Sequence, residues 1–218
     1  MLAEEITSLK KSLLEYAAHV ENMIDKSIKG LVKKEKLKLI EVQEVDEPKA
    51  NSLEIELEGR CTTILAKFQP TAVDLRTIMM IFLINNDLER LADHAVNVAE
   101  SSLFLIERPF IKPFIDIPHM AQTTVKMVKD SIDAFTNDDP SLARQVCERD
   151  SEIDALREQI YRELITYMIS DPSTIERALH VMRVSNNLER IADLSTNISE
   201  DVIYIVKGKL IKHHKNEG

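Results

Sequence analysis

The sequence of 218 residues has no tryptophan, only four glycines, and aromatic side chains at 5% of its positions. The β-branched and aromatic runs that are typical of sheet proteins are missing, whereas leucine, isoleucine, glutamate, lysine and arginine are abundant. This composition predicts an all-α protein. The two cysteines, Cys61 and Cys147, lie far apart, so the sequence predicts a reducing compartment rather than a disulfide framework.

Long hydrophobic runs and an excess of positive charge are also absent. Because no stretch reaches about 18 apolar residues, no membrane-spanning helix is expected. The first twenty residues carry charges throughout and lack the apolar core of a signal peptide, which predicts a cytoplasmic protein. The net charge of −9 argues against a nucleic-acid binder, because such a protein needs a basic face to displace counterions from phosphates.

One segment of the sequence occurs twice. Residues 86–100 read NDLERLADHAVNVAE and residues 186–200 read NNLERIADLSTNISE, with eight of the fifteen paired positions identical at a constant offset of 100. A repeat of this length predicts two similar structural units rather than two copies of a short surface motif.

The repeated segment has a regular pattern of polar side chains. Glutamate, aspartate, asparagine and glutamate recur at i, i+4, i+8 and i+11, which fall within about 80° on a helix that turns about 100° per residue. Each half is therefore predicted to carry a narrow acidic stripe beside an apolar seam. The eight residues are candidate metal ligands: Glu89, Asp93, Asn97 and Glu100 in the first copy, and Glu189, Asp193, Asn197 and Glu200 in the second.

Two interpretations of the stripes follow. Like charges one helical turn apart repel each other, and hard cations, which prefer oxygen ligands, would offset that cost. A charged stripe is also typical of a solvated helix face, and Arg90 and Arg190 would then neutralise it. The duplication strengthens the metal-binding interpretation, and both interpretations stay open.

Helical periodicity runs through most of the chain, and proline interrupts it. We expect helices at about 3–30, 35–68 and 71–106, and then at about 117–136, 140–170 and 172–207, with Gly208 closing the last. Three amphipathic helices bury their apolar faces as an antiparallel bundle, so the predicted fold is two tandem three-helix bundles related by a pseudo-twofold internal repeat. The domains are assigned as 1–108 for the first bundle, 109–118 for a proline-rich linker and 119–218 for the second bundle.

Pro48 is an irregularity within the second predicted helix. A proline inside a helix removes one hydrogen bond and clashes with the preceding turn. We therefore expect this helix to be kinked or broken between Val45 and Lys49.

Further carboxylates precede the second stripe. Asp150 and Asp154 lie one turn apart on the fifth predicted helix and would face the second stripe if that helix packs antiparallel to the sixth. The matching place in the first half reads Glu47 and Asn51. The loss of one charge there predicts a weaker or differently occupied first site.

The histidines do not supply metal-ligand spacing. None follows a glutamate by three residues, so the Glu-x-x-His pairs of ferritin-like di-iron bundles are missing. His94 falls off the stripe and is interpreted as an exposed or packing residue. A carboxylate-bridged metal-dependent enzyme and a metal-free structural helical adaptor remain as alternatives.

Two longer stretches of the sequence resemble a known family. FQPTAVDLRTIM (68–79) followed by NNDLERLADHAVNVAE (85–100), and RDSEIDALREQI (149–160) followed by NNLERIADLSTNISE (186–200), resemble the PhoU family of phosphate-signalling proteins. The resemblance covers nearly the whole chain. It implies two three-helix bundles and an adaptor rather than an enzyme.

The resemblance also implies multinuclear metal clusters, of iron or zinc, on Glu/Asp-x-x-x-Asp motifs. These motifs correspond here to Glu89–Asp93, Glu189–Asp193 and Asp150–Asp154, and Glu47–Asn51 departs from the pattern. The residues alone leave manganese, magnesium and calcium open as well, because carboxylate sites discriminate weakly among hard ions.

Partners are likewise implied by the resemblance. The family consists of negative regulators of the phosphate-starvation response, which link the ATPase subunit of the phosphate ABC transporter to a membrane sensor histidine kinase. Asp74 and Arg76 match a family motif and are assigned either to structure or to partner contact. The oligomeric state stays open, with a homodimer as one state to consider, and membrane contact is expected only through partners.

Overall fold

The structure, a computed structural model, describes residues 1–207, and within them the chain forms seven α-helices and no strand. The helices are α1 (Leu2–Lys33), α2 (Lys36–Glu41), α3 (Glu47–Phe68), α4 (Ala72–Ile106), α5 (Asp116–Thr136), α6 (Pro140–Ser170) and α7 (Ile175–Lys207). The all-α prediction is therefore confirmed. The predicted cap at Gly208 and the tail behind it lie outside the described residues.

Two bundles with the same helix order make up the fold. In the first, α1 packs against α3 and α4, and in the second, α5 packs against α6 and α7. Each helix turns an apolar face inward, and the buried side chains of both bundles join into one continuous core. None of the helices formed by residues 1–207 has the length and hydropathy needed to cross a membrane.

The bundles meet through the helices that carry the repeated segment. The ring of Phe104 on α4 stacks on His180 of α7 with centroids 3.8 Å apart, and His94 Nδ1 lies 2.9 Å from Asn187 Oδ1. Residues later in α4 therefore contact residues earlier in α7, so the two helices run antiparallel. Since α1 also packs against α5, the first helix of each bundle repeats this pairing, as a pseudo-twofold relation requires.

The α-helix is interrupted next to Pro48, and the interruption overlaps the segment between Val45 and Lys49 that the sequence predicts to be kinked or broken. It is a π-helical turn over Val42–Asp46, and α3 begins directly after it. The N–H of Glu47 bonds to the carbonyl of Val42, five residues back, so the helical path continues. Pro48 then lies in the first turn of α3, where its missing N–H costs little.

The connections between the later helices follow their start signals. Asp139 caps α6 by accepting hydrogen bonds from the N–H groups of Ser141 (2.9 Å) and Leu142 (3.1 Å), as its position before Pro140 predicts. Asp171 caps a short 3₁₀ turn, Pro172–Thr174, which comes before α7. Non-helical residues between the bundles run from 107 to 115, so α5 takes in the last three residues of the predicted linker.

Candidate metal centre

The two acidic stripes lie on α4 and α7, the helices at the centre of the molecule. In the first stripe Glu89 is half-buried, whereas Asp93, Asn97 and Glu100 are exposed. The second stripe lies deeper, because Glu189 is only 8% exposed and Asp193 and Glu200 are half-buried, with Asn197 exposed. Ala92, Val96 and Ala99, which adjoin the first stripe, are buried, so that stripe borders an apolar seam as predicted.

In the second half, two arginines form ion pairs with the carboxylates. Arg157 of α6 places Nη1 2.9 Å from Glu189 Oε1, and its Nη2 lies 3.7 Å from Asp154. Arg190 lies 3.3 Å from Asp193 and 3.6 Å from the second oxygen of Glu189. These five residues are called the second cluster below, and it holds three carboxylates and two guanidinium groups.

The sequence pairing of Glu47 and Asn51 with Asp150 and Asp154 relates α3 to α6 by a difference of 103. Three buried positions agree with this register: Ala50 with Ile153, Leu57 with Ile160, and Cys61 with Leu164. The same register pairs Glu54 with Arg157.

The first half therefore has a carboxylate where the second has a guanidinium. Asn85 Nδ2 of α4 donates to the backbone carbonyl of Glu54 at 3.0 Å, which fixes α3 against α4 one turn before Glu89. Glu54, Glu89 and Asp93 are called the first cluster below. Within residues 1–207, no lysine, arginine or histidine lies in ion-pair range of these three carboxylates, since Arg90 pairs with Asp87 instead.

The electrostatics of the clusters differ accordingly. Burial raises the pKa of Glu89, the charges of Asp93 and Glu54 raise it further, and the charge of Arg90 lowers it. Burial and Asp193 also raise the pKa of Glu189, and there two arginines, Arg157 and Arg190, lower it. The loss of one charge at Asn51 predicts a weaker or differently occupied first site, and this stays a prediction. Around the stripes, the first half has Glu54 where the second has Arg157.

A buried phenol accompanies the first cluster. Tyr16 of α1 is 1% exposed, and its hydroxyl has no hydrogen-bond partner among the described residues. Burial raises the pKa of this phenol, and the charges of Glu54, Glu89 and Asp93 raise it further. The Tyr16 side chain thus brings an unsatisfied polar oxygen within the electrostatic influence of all three carboxylates.

The predicted ligands do not form a finished metal site. Across residues 1–207, no three His, Cys, Asp or Glu side chains are grouped closely enough to hold a metal ion. Glu47 and Asp150 are half-buried, whereas Asn51 and Asp154 are exposed. The donor chemistry of the first cluster fits a hard cation, while Glu189 of the second already binds Arg157. Metal binding therefore stays a prediction.

Asp74 and Arg76, the candidate partner residues, lie in the first two turns of α4. Both side chains are exposed. They are accessible to another protein, and contact with a partner stays a prediction.

Asp87 was not among the sequence candidates, although it stands where the second copy has Asn187. Its side chain is 15% exposed and lies 3.4 Å from Arg90. Burial raises the pKa of Asp87 to about 6; Arg90 lowers it, and Asp201 across the α4–α7 interface raises it. The ionised carboxylate is thus an unfavourable group at the junction of the bundles.

The Asp87→Asn substitution is expected to raise the free energy of unfolding at pH 7.5 by about 1–2 kcal/mol. The folded chain holds the Asp87 proton more tightly than the unfolded chain, so stability falls as pH rises from about 4 to about 6. Below pH 4 both states are protonated, and the gain should vanish. Urea unfolding at several pH values measures it. An equal gain at pH 3.5 and pH 7.5 would show that charge is not the cause, and exposed Glu58→Gln is the control.

The fold and its paired stripes define a tandem-repeat protein of helical bundles. A family model described as the PhoU domain matches residues 13–102 and again residues 117–202. The chain belongs to the PhoU family. This confirms the resemblance seen in the repeated segments.

Relatives and solved structures agree with this placement. The chain is 39% identical over 212 residues to the phosphate-specific transport system accessory protein PhoU homolog of Aquifex aeolicus (strain VF5), covering 97% of this chain and 96% of that protein. Identity to the Pseudomonas putida homolog is 36%, over 96% of this chain and 82% of that protein. The crystal structure of PhoU from Pseudomonas aeruginosa matches with a TM-score of 0.91 at 33% identity, covering 96% of this chain and all of that one. The PhoU structure from Streptococcus pneumoniae matches with a TM-score of 0.89 at 25% identity, covering 98% of this chain and all of that one.

Proposed function

We propose that this protein is a cytoplasmic accessory regulator of a phosphate transporter, which holds the phosphate-starvation response off when phosphate is abundant. The observation that carries the proposal is that the PhoU domain occurs twice in a chain that aligns over 97% of its length with an accessory protein of a phosphate-specific transport system. In this proposal the protein acts by contact with other proteins and not by catalysis.

Two partners follow from this function. The ATPase subunit of the phosphate ABC transporter reports on uptake, and a membrane sensor histidine kinase sets the transcriptional response. The exposed first turns of α4, with Asp74 and Arg76, offer one contact surface for these partners. A homodimer would present that surface twice.

Metal ions belong to the same proposal. Glu89 and Asp93, with Glu54 from the neighbouring helix, would hold a hard cation by their carboxylate oxygens. The ion would supply positive charge to a cluster that has none within ion-pair range among residues 1–207. A cation that binds only the folded chain also stabilises it by mass action.

Deletion of the gene is expected to switch on a phosphate-starvation reporter, such as alkaline phosphatase, in cells grown with abundant phosphate. Restoring the wild-type protein should silence the reporter, because the regulator then again couples the transporter to the kinase. A reporter that stays off in the deletion strain, with no second PhoU-family gene present, contradicts this function.

The contact surface on α4 can be tested in the same strain. We propose Arg76→Glu as the variant, with Arg144→Glu as a matched control, since both arginines are exposed and neither has an ion pair among the described residues. Loss of silencing by Arg76→Glu alone, at equal protein level, supports contact at the start of α4. Equal behaviour of the two variants removes Arg76 from the contact surface.

A further inference from the structure

We propose that a cleft between α1 and α5 binds a small anionic amphiphile, a free molecule with an aliphatic chain and a phosphate or carboxylate head. This inference goes beyond the proposed function. It assigns a ligand site to two helices that carry neither the acidic stripes nor the contact surface at the start of α4. Its tests are therefore independent of metal binding and of the regulatory role.

The cleft lies where the first helices of the two bundles run side by side. It has a volume of about 620 Å³ and is lined by residues between 25 and 33 of α1 and between 118 and 133 of α5. Lys10, early in α1, lies over the ring of Phe135, late in α5, so these helices are antiparallel. The α1 wall is about 12 Å long at 1.5 Å per residue. Both the volume and the elongated shape suit one small molecule, because such sites typically enclose about 300–1,000 Å³.

The apolar part of the lining is aliphatic. Ile28 and Ala121 are buried, Pro118 and Val125 are half-buried, and Val32 is 40% exposed. Among the described residues that line the cleft, none is aromatic, so a flat ring would find no ring to stack on. A chain of methylene groups fits this lining, because it would remove the apolar surface around Val32 from water.

Lysines give the cleft a positive charge that the chain as a whole does not have. Lys29 and Lys33 line it from α1, and Lys126 and Lys129 line it from α5, in a protein whose net charge is −9. All four side chains are exposed. Lysine stems cover apolar surface while the ammonium groups stay in water, where they attract a phosphate or carboxylate.

Three aspartates also line the cleft, and two of them are already paired. Asp25 pairs with Lys29 at 2.5 Å. Asp130 is buried, pairs with Arg149 of α6 and lies 3.5 Å from Lys126. With Arg149 included, five cations stand against three carboxylates, so the local balance favours an anionic ligand.

The third aspartate, Asp133, lies near Lys129 at one end of the cleft. Burial raises the pKa of Glu21 in this region, Lys129 lowers it, and Asp133 raises it. The charge of Lys129 is therefore partly offset by two carboxylates in its neighbourhood.

Lys33 lies at the other end of the cleft and has no ion pair among residues 1–207. The hydrogen bond from Lys38 lowers the pKa of Glu35, and Lys33 lowers it further. Glu35 is thus already paired, with Lys38 at 2.7 Å. We therefore place the acidic head of the ligand at Lys33, with its chain running along the aliphatic lining.

Titration of the full-length protein with dodecyl phosphate, below the concentration at which it forms micelles, tests the inference. We expect isothermal titration calorimetry to show saturable binding of one molecule per chain. Dodecyltrimethylammonium, which has the same chain and the opposite charge, should bind about tenfold more weakly. Inorganic phosphate, the head alone, should give no measurable heat. Absence of dodecyl phosphate binding, or equal binding of the two amphiphiles, would overturn the inference.

Substitutions at exposed positions locate the site with little risk to folding. Lys33→Glu should weaken dodecyl phosphate binding by about tenfold, because it places a like charge beside the head. Lys49→Glu on α3, also exposed and without an ion pair among the described residues, is the matched control and should leave binding unchanged. Val32→Asp should likewise weaken binding, whereas Val73→Asp on α4, at an exposed valine outside the cleft, should not. Unchanged binding in both cleft variants would overturn the inference.

Flotation with phosphatidylglycerol vesicles distinguishes a free ligand from a membrane surface. We expect the protein to stay in the unbound fraction, because the chains of a bilayer point away from its surface and cannot enter the cleft singly. Flotation with the vesicles that is lost in Lys33→Glu would assign the cleft to a lipid surface and overturn the free ligand. The phosphate reporter depends on none of these outcomes and still decides the regulatory function.

Discussion

Replacing Lys26 by methionine is expected to lower the free energy of unfolding by about 3 kcal/mol, because it leaves the buried Asp46 carboxylate without a partner. Lys26 Nζ lies 2.6 Å from Asp46 Oδ2 and 2.9 Å from Glu41 Oε1. Asp46 ends the π-helical turn before α3 and its side chain is 9% exposed. Burial lowers the pKa of Lys26, but the hydrogen bonds that Lys26 donates to Asp46 and Glu41 outweigh this effect and raise that pKa overall.

The effect should extend to the π-helical turn itself. His19 Nε2 also contacts this turn, at 2.9 Å from the carbonyl oxygen of Asp46, so α1 holds the segment at two points. Loss of the Lys26 contact should therefore increase hydrogen exchange at Val42–Asp46 more than elsewhere in the first bundle.

Lys29 offers a control for Lys26 three residues along the same helix. It pairs with Asp25 at 2.5 Å, but both side chains are about half exposed. Lys29→Met is therefore expected to cost less than about 1 kcal/mol, as exposed ion pairs do. The double variant Lys26→Met with Asp46→Leu should recover most of the loss, since it removes the unpaired charge. Similar losses for both single variants in urea unfolding would contradict the role given to Asp46.

Two glycines should respond in opposite directions to replacement by alanine. A Cβ at Gly30 would lie 2.5 Å from Leu39 Cδ2 and 2.7 Å from its Cγ, and Leu39 is fully buried. Gly30→Ala is expected to lower the free energy of unfolding by about 1–2 kcal/mol, the cost of overpacking less the gain in helix propensity. At Gly59 a Cβ would have no neighbour within 4 Å. Gly59→Ala should raise stability by about 0.5–1 kcal/mol.

Thermal and urea unfolding of the two glycine variants, measured side by side, check this pair. Alanine lowers the conformational entropy of the unfolded chain equally at both positions. The difference between the two changes in free energy of unfolding therefore reports the contact with Leu39. A stabilising Gly30→Ala would mean that α2 can move away from α1 at little cost.

Much of the fold could be predicted from the sequence because its signals are local. Neighbouring residues alone show the repeated segment, the prolines and the Asp-Pro start signal at 139–140. Each of these signals predicts where a helix begins or ends to within a few residues. Pro48 likewise signals an irregularity. Its form, a π-helical turn upstream at Val42–Asp46, depends on contacts with α1 that the local sequence does not contain.

The candidate site was harder to predict, because it depends on residues from different helices. The stripe residues share one helix, so their spacing is visible. Glu54 and Arg157 reach the stripes from α3 and α6, where the repeat is offset by 103 rather than 100 and shares little identity. The pairing of Glu47 and Asn51 with Asp150 and Asp154 already implies that the two side chains correspond, but it does not show that they lie near the stripes. Tyr16 lies on another helix, α1, and is not part of any motif.

The central claim of the proposed function concerns the two acidic stripes: Arg157 pairs with Glu189 in the second half, and a metal ion is proposed to neutralise the first. Anomalous diffraction from crystals of the full-length protein equilibrated with Mn²⁺ tests this claim most directly. We predict a manganese peak beside Glu54, Glu89 and Asp93, and none beside Glu189, with the Arg157–Glu189 pair intact. Peaks of equal height in both halves, with the Arg157 side chain displaced, would contradict the claim.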